Sequence, residues 1–255
     1  GQLILAGNAV SNGKADIVNR AAGGMNISGT IGNASTTPTV RIVNENGKLT
    51  FTGKAYAQES VSFRNQANGT GMEIGGTIKA GEGVLVHNKG GNALLKGTIE
   101  VEDGNVAVMN EGTGKLTTAN TNRITNGNGN VAIKNTATGG MELNGTITNE
   151  GEVAINNLGG AAVVNGEINN TGNIGIVNKG NGTGLTIGGT INNEGKIKLV
   201  NSTGANGLTV NGTVNNAGGG NLYLYNDAGH TTINGTLNNT EAGNLYVLSR
   251  NTSTG

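Results

Sequence analysis

The sequence predicts an all-β chain folded as a right-handed parallel β-helix, a solenoid of about eleven coils with a mean repeat of 23 residues. Three observations carry that expectation. A short apolar strand ending in Asn recurs along the chain, apolar and polar residues alternate within it, and Gly and Asn, 48 and 43 of 255 residues, supply turn chemistry between strands. Without periodicity this composition would read as a flexible linker, because such chains bury too little apolar surface to fold. The repeat removes that reading.

The recurring strand begins as Asp16-Ile-Val-Asn19 and returns as Val40-Arg-Ile-Val-Asn44, Val61-Ser-Phe-Arg-Asn65, Val84-Leu-Val-His-Asn88 and Val106-Ala-Val-Met-Asn110. It continues as Val131-Ala-Ile-Lys-Asn135, Val153-Ala-Ile-Asn-Asn157, Ile174-Gly-Ile-Val-Asn178, Ile197-Lys-Leu-Val-Asn201, Leu222-Tyr-Leu-Tyr-Asn226 and Leu245-Tyr-Val-Leu-Ser249. The terminal residues lie 21 to 25 apart, and ten steps cover 230 residues. A second strand follows in each unit, clearest in Leu185-Thr-Ile187-Gly-Gly-Thr-Ile191 and Leu208-Thr-Val210-Asn-Gly-Thr-Val214. Segments such as Asn192-Asn193-Glu194-Gly195 read as the turns between, because Asn and Gly tolerate positive φ. One unit therefore reads strand, turn, strand, turn.

Within a strand, Ile197 and Leu199 flank Lys198, a period of two with one face buried. A unit this short, with two or three short strands, cannot pair with itself, so each strand must pair with its equivalents in the coils above and below. Ile17, Ile42, Phe63, Val86, Val108, Ile133, Ile155, Ile176, Leu199, Leu224 and Val247 then form one interior column, and Met25, Leu49, Met72, Ala93, Leu116, Met141, Ala162, Leu185, Leu208 and Thr231 begin another. A core one side chain thick explains why 34% hydrophobic and 2% aromatic residues suffice. The Asn column, 19, 44, 65, 88, 110, 135, 157, 178, 201 and 226, is expected to turn inward as a ladder of stacked amides. At about 4.8 Å per coil the rod spans roughly 50 Å.

Composition sets limits on function. Basic and acidic residues balance at 16 each with no block of one sign, so neither a nucleic-acid footprint nor a membrane-surface patch is expected. No apolar run is long enough for a membrane-spanning helix. Without Cys there is no disulfide framework or thiolate site, and zinc would have to come from His87, His230 and carboxylates; no metal or cofactor is expected. The chain opens at Gly1 without a leader and reads as one rod over 1–255, a segment of a longer shaft without caps.

Enzymes also use β-helices, with clustered carboxylates that hold calcium or flank a glycosidic bond. The densest candidate is Glu100, Glu102 and Asp103, with Glu82 and Arg123 one coil to either side. Asp103 falls opposite Gly81 and Glu102 opposite Ala80, so the cluster reads as a solvated turn. His87 and His230 lie about six coils apart, and no triad includes them. The calcium-binding nonapeptide is missing, since none of Asp16, Asp103 and Asp227 lies in Gly-Gly-x-Gly-x-Asp. Tyr223 and Tyr246 are 23 apart and should stack as outward rungs, either as a sugar-binding platform or as a pair that stabilises the sheet face. Thr30, Thr77, Thr98, Thr146, Thr190, Thr213 and Thr236 form a column after Gly, too irregularly spaced for an ice-binding array. Asn-x-Ser/Thr at Asn68, Asn144, Asn181, Asn211 and Asn234 coincides with the Asn-Gly-Thr turn signature itself.

The repeated Asn-Gly-Thr-Ile-x-Asn-x-Gly-x-Ile-x-Ile pattern, at 144–155, 165–176, 188–199 and 211–224 with small departures, resembles the shaft repeats of filamentous-haemagglutinin-like exoproteins of two-partner secretion, with autotransporter passenger domains next. The resemblance implies the mid-shaft of a large bacterial adhesin, extracellular and at the cell surface, exported through an outer-membrane partner. Polysaccharide or a receptor would be engaged through regions outside this segment. No Asn-Pro-Asn-type secretion motif is present, Pro38 being the only Pro. The expected role is a stiff, non-enzymatic adhesive spacer; the alternative is a carbohydrate-active β-helix of the lyase, hydrolase or tailspike kind.

Overall fold

The computed structural model describes residues 1–180, 184–202 and 206–250, without the side chains of residues 67 and 68. Among them are thirty strands and no helix, wound as a parallel β-solenoid. A typical coil contains Ile174–Asn178, Leu185–Ile187 and Thr190–Asn193, each paired in parallel with its equivalent one coil on, as in Ile176 beside Leu199 and Ile191 beside Val214. The first and second strands of all coils form one twenty-stranded sheet, because Thr39–Phe51 and Ser60–Ile74 run through the corner between them. The third strands form a separate ten-stranded sheet.

Of the two or three short strands per unit expected from sequence, each full coil has three, although the sequence marks out only two clearly. The stretch read as one strand from Leu185 to Ile191 breaks at Gly188-Gly189 into two. A Cβ on Gly189 would stand 1.9 Å from the Gly166 carbonyl oxygen, and one on Gly212 would stand 1.9 Å from that of Gly189. Backbones stacked this closely admit only glycine, and the chain turns there. Asn192 and Asn193, read as turn, complete the third strand. A second corner follows the Asn column, where Gly160 takes φ 64 in the left-handed region.

Both interior columns run in register as the sequence implied, from Ile17 beside Ile42 to Leu224 beside Val247 and from Met25 beside Leu49 to Leu208 beside Thr231. A third column runs from Ile31 through Ile78, Ile99, Ile124 and Ile147 to Leu237. Ile176 and Leu199 are fully buried, while Lys198 between the strands' inward residues is exposed. Phe51 and Phe63 meet edge to face across the interior, centroids 4.7 Å apart. Among the described residues Leu245–Ser249 has a neighbouring strand on one side only, and there Leu245, Val247 and Leu248 are exposed.

Candidate functional site

The polar feature that runs along the rod is the asparagine column, and the fold turns it inward. Each first strand ends on an inward rung, so its last side chain lies beside the same residue of the next coil. Asn19 donates through Nδ2 to Asn44 Oδ1 at 2.8 Å, and the relay continues through Asn65, Asn88, Asn110, Asn135, Asn157, Asn178 and Asn201 to Asn226, every step 2.7–2.9 Å. The second amide hydrogen holds the following turn: Asn44 bonds to the Gly47 carbonyl, Asn88 to that of Gly91 and Asn157 to that of Gly160. A primary amide has two donors and two acceptor sites, enough for both tasks.

A second buried ladder went unread from sequence. Asn126 donates to Asn149, and the chain continues through Asn170, Asn193 and Asn216 to Asn239. Its signal in the sequence is the Asn-Asn doublet at 169–170, 192–193, 215–216 and 238–239, whose turn chemistry at 192–193 hides an inward strand position. The first residue of each doublet points outward and forms a third ladder, in which Asn238, Asn215 and Asn192 each donate at 2.8 Å in the opposite direction. At the ends of the buried one, Asn126 Oδ1 and Asn239 Nδ2 have no hydrogen-bond partner among the described residues.

The outward tyrosines do stack. The rings of Tyr223 and Tyr246 lie 4.8 Å apart and 6° from parallel, and Tyr225 stacks beside Tyr223 at 5.8 Å. The Lys196 ammonium sits 5.4 Å from the centre of the Tyr223 ring and that of Lys198 5.7 Å from Tyr225, distances at which a cation is attracted to the ring. Asn221 donates to the Tyr223 phenol oxygen at 2.9 Å. Next to this cluster an open groove of about 200 Å³ is lined by Glu152, Asn173, Ile174, Gly175, Lys196 and Lys198. Of these groups only Tyr223 and Tyr246 were singled out from sequence, because their spacing equals the repeat.

The remaining candidates are dispersed. Glu102 and Asp103 donate their amides to the carbonyls of Ala80 and Gly81, the register expected. Glu102 pairs with Lys79 at 3.1 Å, and its carboxylate holds that lysine above its ordinary pKa; Glu100 lies between Lys79 and Thr125. The Arg123 guanidinium donates to the carbonyls of Asn120 and Asn122, not to the acidic turn. Glu82 sits a coil earlier, where its carbonyl packs under Gly104. His87 Nε2 is 3.2 Å from Glu111 Oε1, and His230 is exposed. Among the described residues no three His, Asp or Glu side chains are grouped as a metal site. The Thr column is interrupted by Lys54, Arg123 and Glu167. Asn144, Asn211 and Asn234 sit at the glycine corner, where Asn144 bonds to Thr118; Asn181 and the side chain of Asn68 lie outside the described residues.

Ion pairs bridge adjacent coils on the surface: Arg41 forks onto both oxygens of Asp16, and Lys48 and Lys96 converge on Glu73 at 2.7 Å each. Glu73 is held below its ordinary pKa by hydrogen bonds to Lys48 and then Lys96, against a partly opposing effect of burial.

What these features define is a parallel β-solenoid with polar ladders inside and a small aromatic and cationic face outside. No protein-family model matches the chain, and neither curated proteins nor solved structures include a significant match. No helix among the described residues is long and apolar enough to cross a membrane.

Proposed function

We propose that this chain is the shaft of a large exported bacterial surface adhesin, of the filamentous-haemagglutinin-like two-partner kind, acting as a rigid extracellular spacer without catalytic activity. The observation that carries the reading is the unbroken relay of ten asparagine side chains from Asn19 to Asn226, laid beside three interior columns. Each coil is bonded to the next by backbone, amide and apolar contact at once, which resists bending and sets length in proportion to residues. An outer-membrane secretion partner and a tip bearing the receptor- or polysaccharide-binding region belong to the same reading.

The test is attachment of cells carrying the parent adhesin with whole coils deleted in register. Each deletion removes about 4.8 Å of reach, and attachment should fade with length. Turnover of a polysaccharide by the purified chain would replace the spacer with a carbohydrate-active enzyme, and abrupt loss on removing a single folded coil would also overturn it.

A further inference from the structure

The geometry points to a ligand site that goes beyond the shaft reading: we propose that a groove along the third strands, from Thr148 to Ala217, binds a linear, equatorially linked polysaccharide bearing acetamido groups, of the chitin kind. The groove holds about 410 Å³ and crosses four coils, all of them with a described coil on either side. Its floor is the backbone of Asn149, Asn170 and Asn193, whose side chains turn inward and leave nothing standing in it. One wall is the outward amide file of Asn169, Asn192 and Asn215. The opposite wall is the column one residue beyond the floor, which runs Glu102, Gly127, Glu150, Thr171, Glu194 and Ala217. Carboxylates therefore recur on every second coil. Glu102 is taken up by Lys79, whereas neither Glu150 nor Glu194, both exposed, is within ion-pair distance of a cation among the described residues.

No cation and no aromatic ring lines this groove among the described residues, so a polyanion gains nothing there and a sugar has no ring to stack on. A ligand has to be held by its edges. In the amide file Asn192 donates to Asn169 and accepts from Asn215, which uses one donor and one acceptor site of a group that has two of each. Asn192 thus keeps one N–H and one lone pair for a ligand, and its neighbours in the file repeat the offer at intervals of about 4.8 Å. An extended, equatorially linked pyranose chain advances by about one coil spacing per sugar. Successive sugars are turned over, so a given substituent returns to the same edge on every second sugar. That is the period of the carboxylates. Laid in the groove, such a chain brings alternate acetamides to Glu150 and Glu194, which accept their N–H groups, and the acetamides between them to the amide file. There each meets the same donor and acceptor that it carries itself. A hydroxyl in that place has a single short atom for both tasks. A free ammonium has no carbonyl to offer the file, and its pairing with exposed carboxylates is worth little.

The experiment measures binding of the purified chain to chitohexaose, beside cellohexaose and the fully deacetylated glucosamine hexamer, three oligomers of one linkage that differ only in the substituent at one ring carbon. Chitohexaose should bind with little response to added salt, since it brings no charge to the carboxylates. The other two should bind about tenfold more weakly. Glu150→Ala with Glu194→Ala should weaken chitohexaose binding about tenfold, and Glu150→Gln with Glu194→Gln, which keeps an acceptor oxygen at each position, about threefold. Asn192→Ala should weaken it about fivefold. Glu82→Ala, an exposed carboxylate three coils before Glu150, should change nothing. None of these side chains points inward, and circular dichroism of each variant should match the parent. No binding of chitohexaose, binding of cellohexaose or of the amine as tight as that of chitohexaose, or unchanged binding by the double alanine variant would each overturn the proposal. These outcomes are read in solution and are separate from the dependence of attachment on shaft length.

Discussion

Replacing Asn88 by Ala should remove a large part of the stability of the rod. Asn88 is fully buried, accepts from Asn65 at 2.9 Å, and donates at 2.8 Å to both Asn110 Oδ1 and the Gly91 carbonyl. Truncation deletes three hydrogen bonds, worth about 1 kcal/mol each net, and leaves the buried Asn110 oxygen without the amide that donates to it, a further penalty of about 1–2 kcal/mol. Asn65 keeps its bond to Gly90. The expected loss is therefore about 4–5 kcal/mol, against total stabilities of roughly 5–15 kcal/mol for ordinary domains. Asn126→Ala is the internal control. Its Oδ1 already lacks a partner, so the change costs its one ladder bond and relieves a buried orphan, about 1–2 kcal/mol in all. Guanidinium unfolding followed by far-ultraviolet circular dichroism measures both. If Asn88→Ala lay within about 1 kcal/mol of the parent, or if the two variants were equal, the ladder would be decoration on a backbone that holds itself.

Asn88→Asp sharpens the same argument through pH. The new oxygen would face two acceptors, Gly91 O and Asn110 Oδ1, so only a protonated carboxyl can donate there. The folded-state pKa must rise above that of the unfolded chain. The variant should be nearest the parent in stability at acid pH and fall behind as pH climbs through the folded value.

Four further outcomes are expected. Ile176→Asp, which places a carboxylate in a fully buried column, should cost several kcal/mol, while Lys198→Asp, on the next coil and one residue before Ile176's partner Leu199 but outward, should stay within about 1 kcal/mol; equal costs would mean that the alternation is misassigned. Gly212→Ala should be severely destabilising, since its Cβ meets backbone at 1.9 Å, and Gly175→Ala, with nothing within 4 Å, should be silent or slightly stabilising by thermal melting. Glu73→Gln should flatten the acid side of the stability profile: with its pKa depressed from 4.5, Glu73 stabilises above that value and loses the contribution as pH falls through the folded pKa, an effect of less than about 1 kcal/mol because Lys48 and Lys96 are about half exposed. Deleting residues 190–212 sets Thr213 on the rung above Glu167 with every column continuous, and scattering should report a folded rod about 4.8 Å shorter.

The first strand and its ladder were legible because two independent signals coincide there, a period-two apolar pattern and a terminal Asn at the repeat spacing. Tyr223 over Tyr246 was legible for the same reason. The third strand was not, because its boundary is only the doublet Gly188-Gly189 and because Thr-Ile-Asn-Asn has half its residues depleted in strands generally. Stacking overrides that preference: an inward Asn193 gains a partner from each neighbouring coil, which a single strand's propensity cannot anticipate. The groove at Gly175 was hidden too, since it exists only where residues from several coils, Glu152 to Lys198, meet side by side.

The unequal coil lengths have a physical pattern that ties these observations together. From the second interior column to the start of the third strand the distance is five residues in nine of ten coils, as from Met25 to Thr30, Ala162 to Glu167 and Leu208 to Thr213. The exception runs from Leu116 to Arg123, where Asn122 replaces the corner glycine and, buried, donates to the Gly97 carbonyl at 2.7 Å. All other variation falls at the two remaining corners, for example five residues from Asn157 to Ala162 but seven from Asn65 to Met72. The glycine corner keeps one length wherever glycine occupies it because backbone there is packed against backbone, whereas the Asn corner is closed by a side-chain amide that reaches turn carbonyls at different positions, Gly91 three residues after Asn88 and Gly114 four after Asn110. The asparagine column thus does two jobs, bonding coil to coil and accommodating turns of unequal length, and the second lets the outer surface change from coil to coil while the interior stays in register.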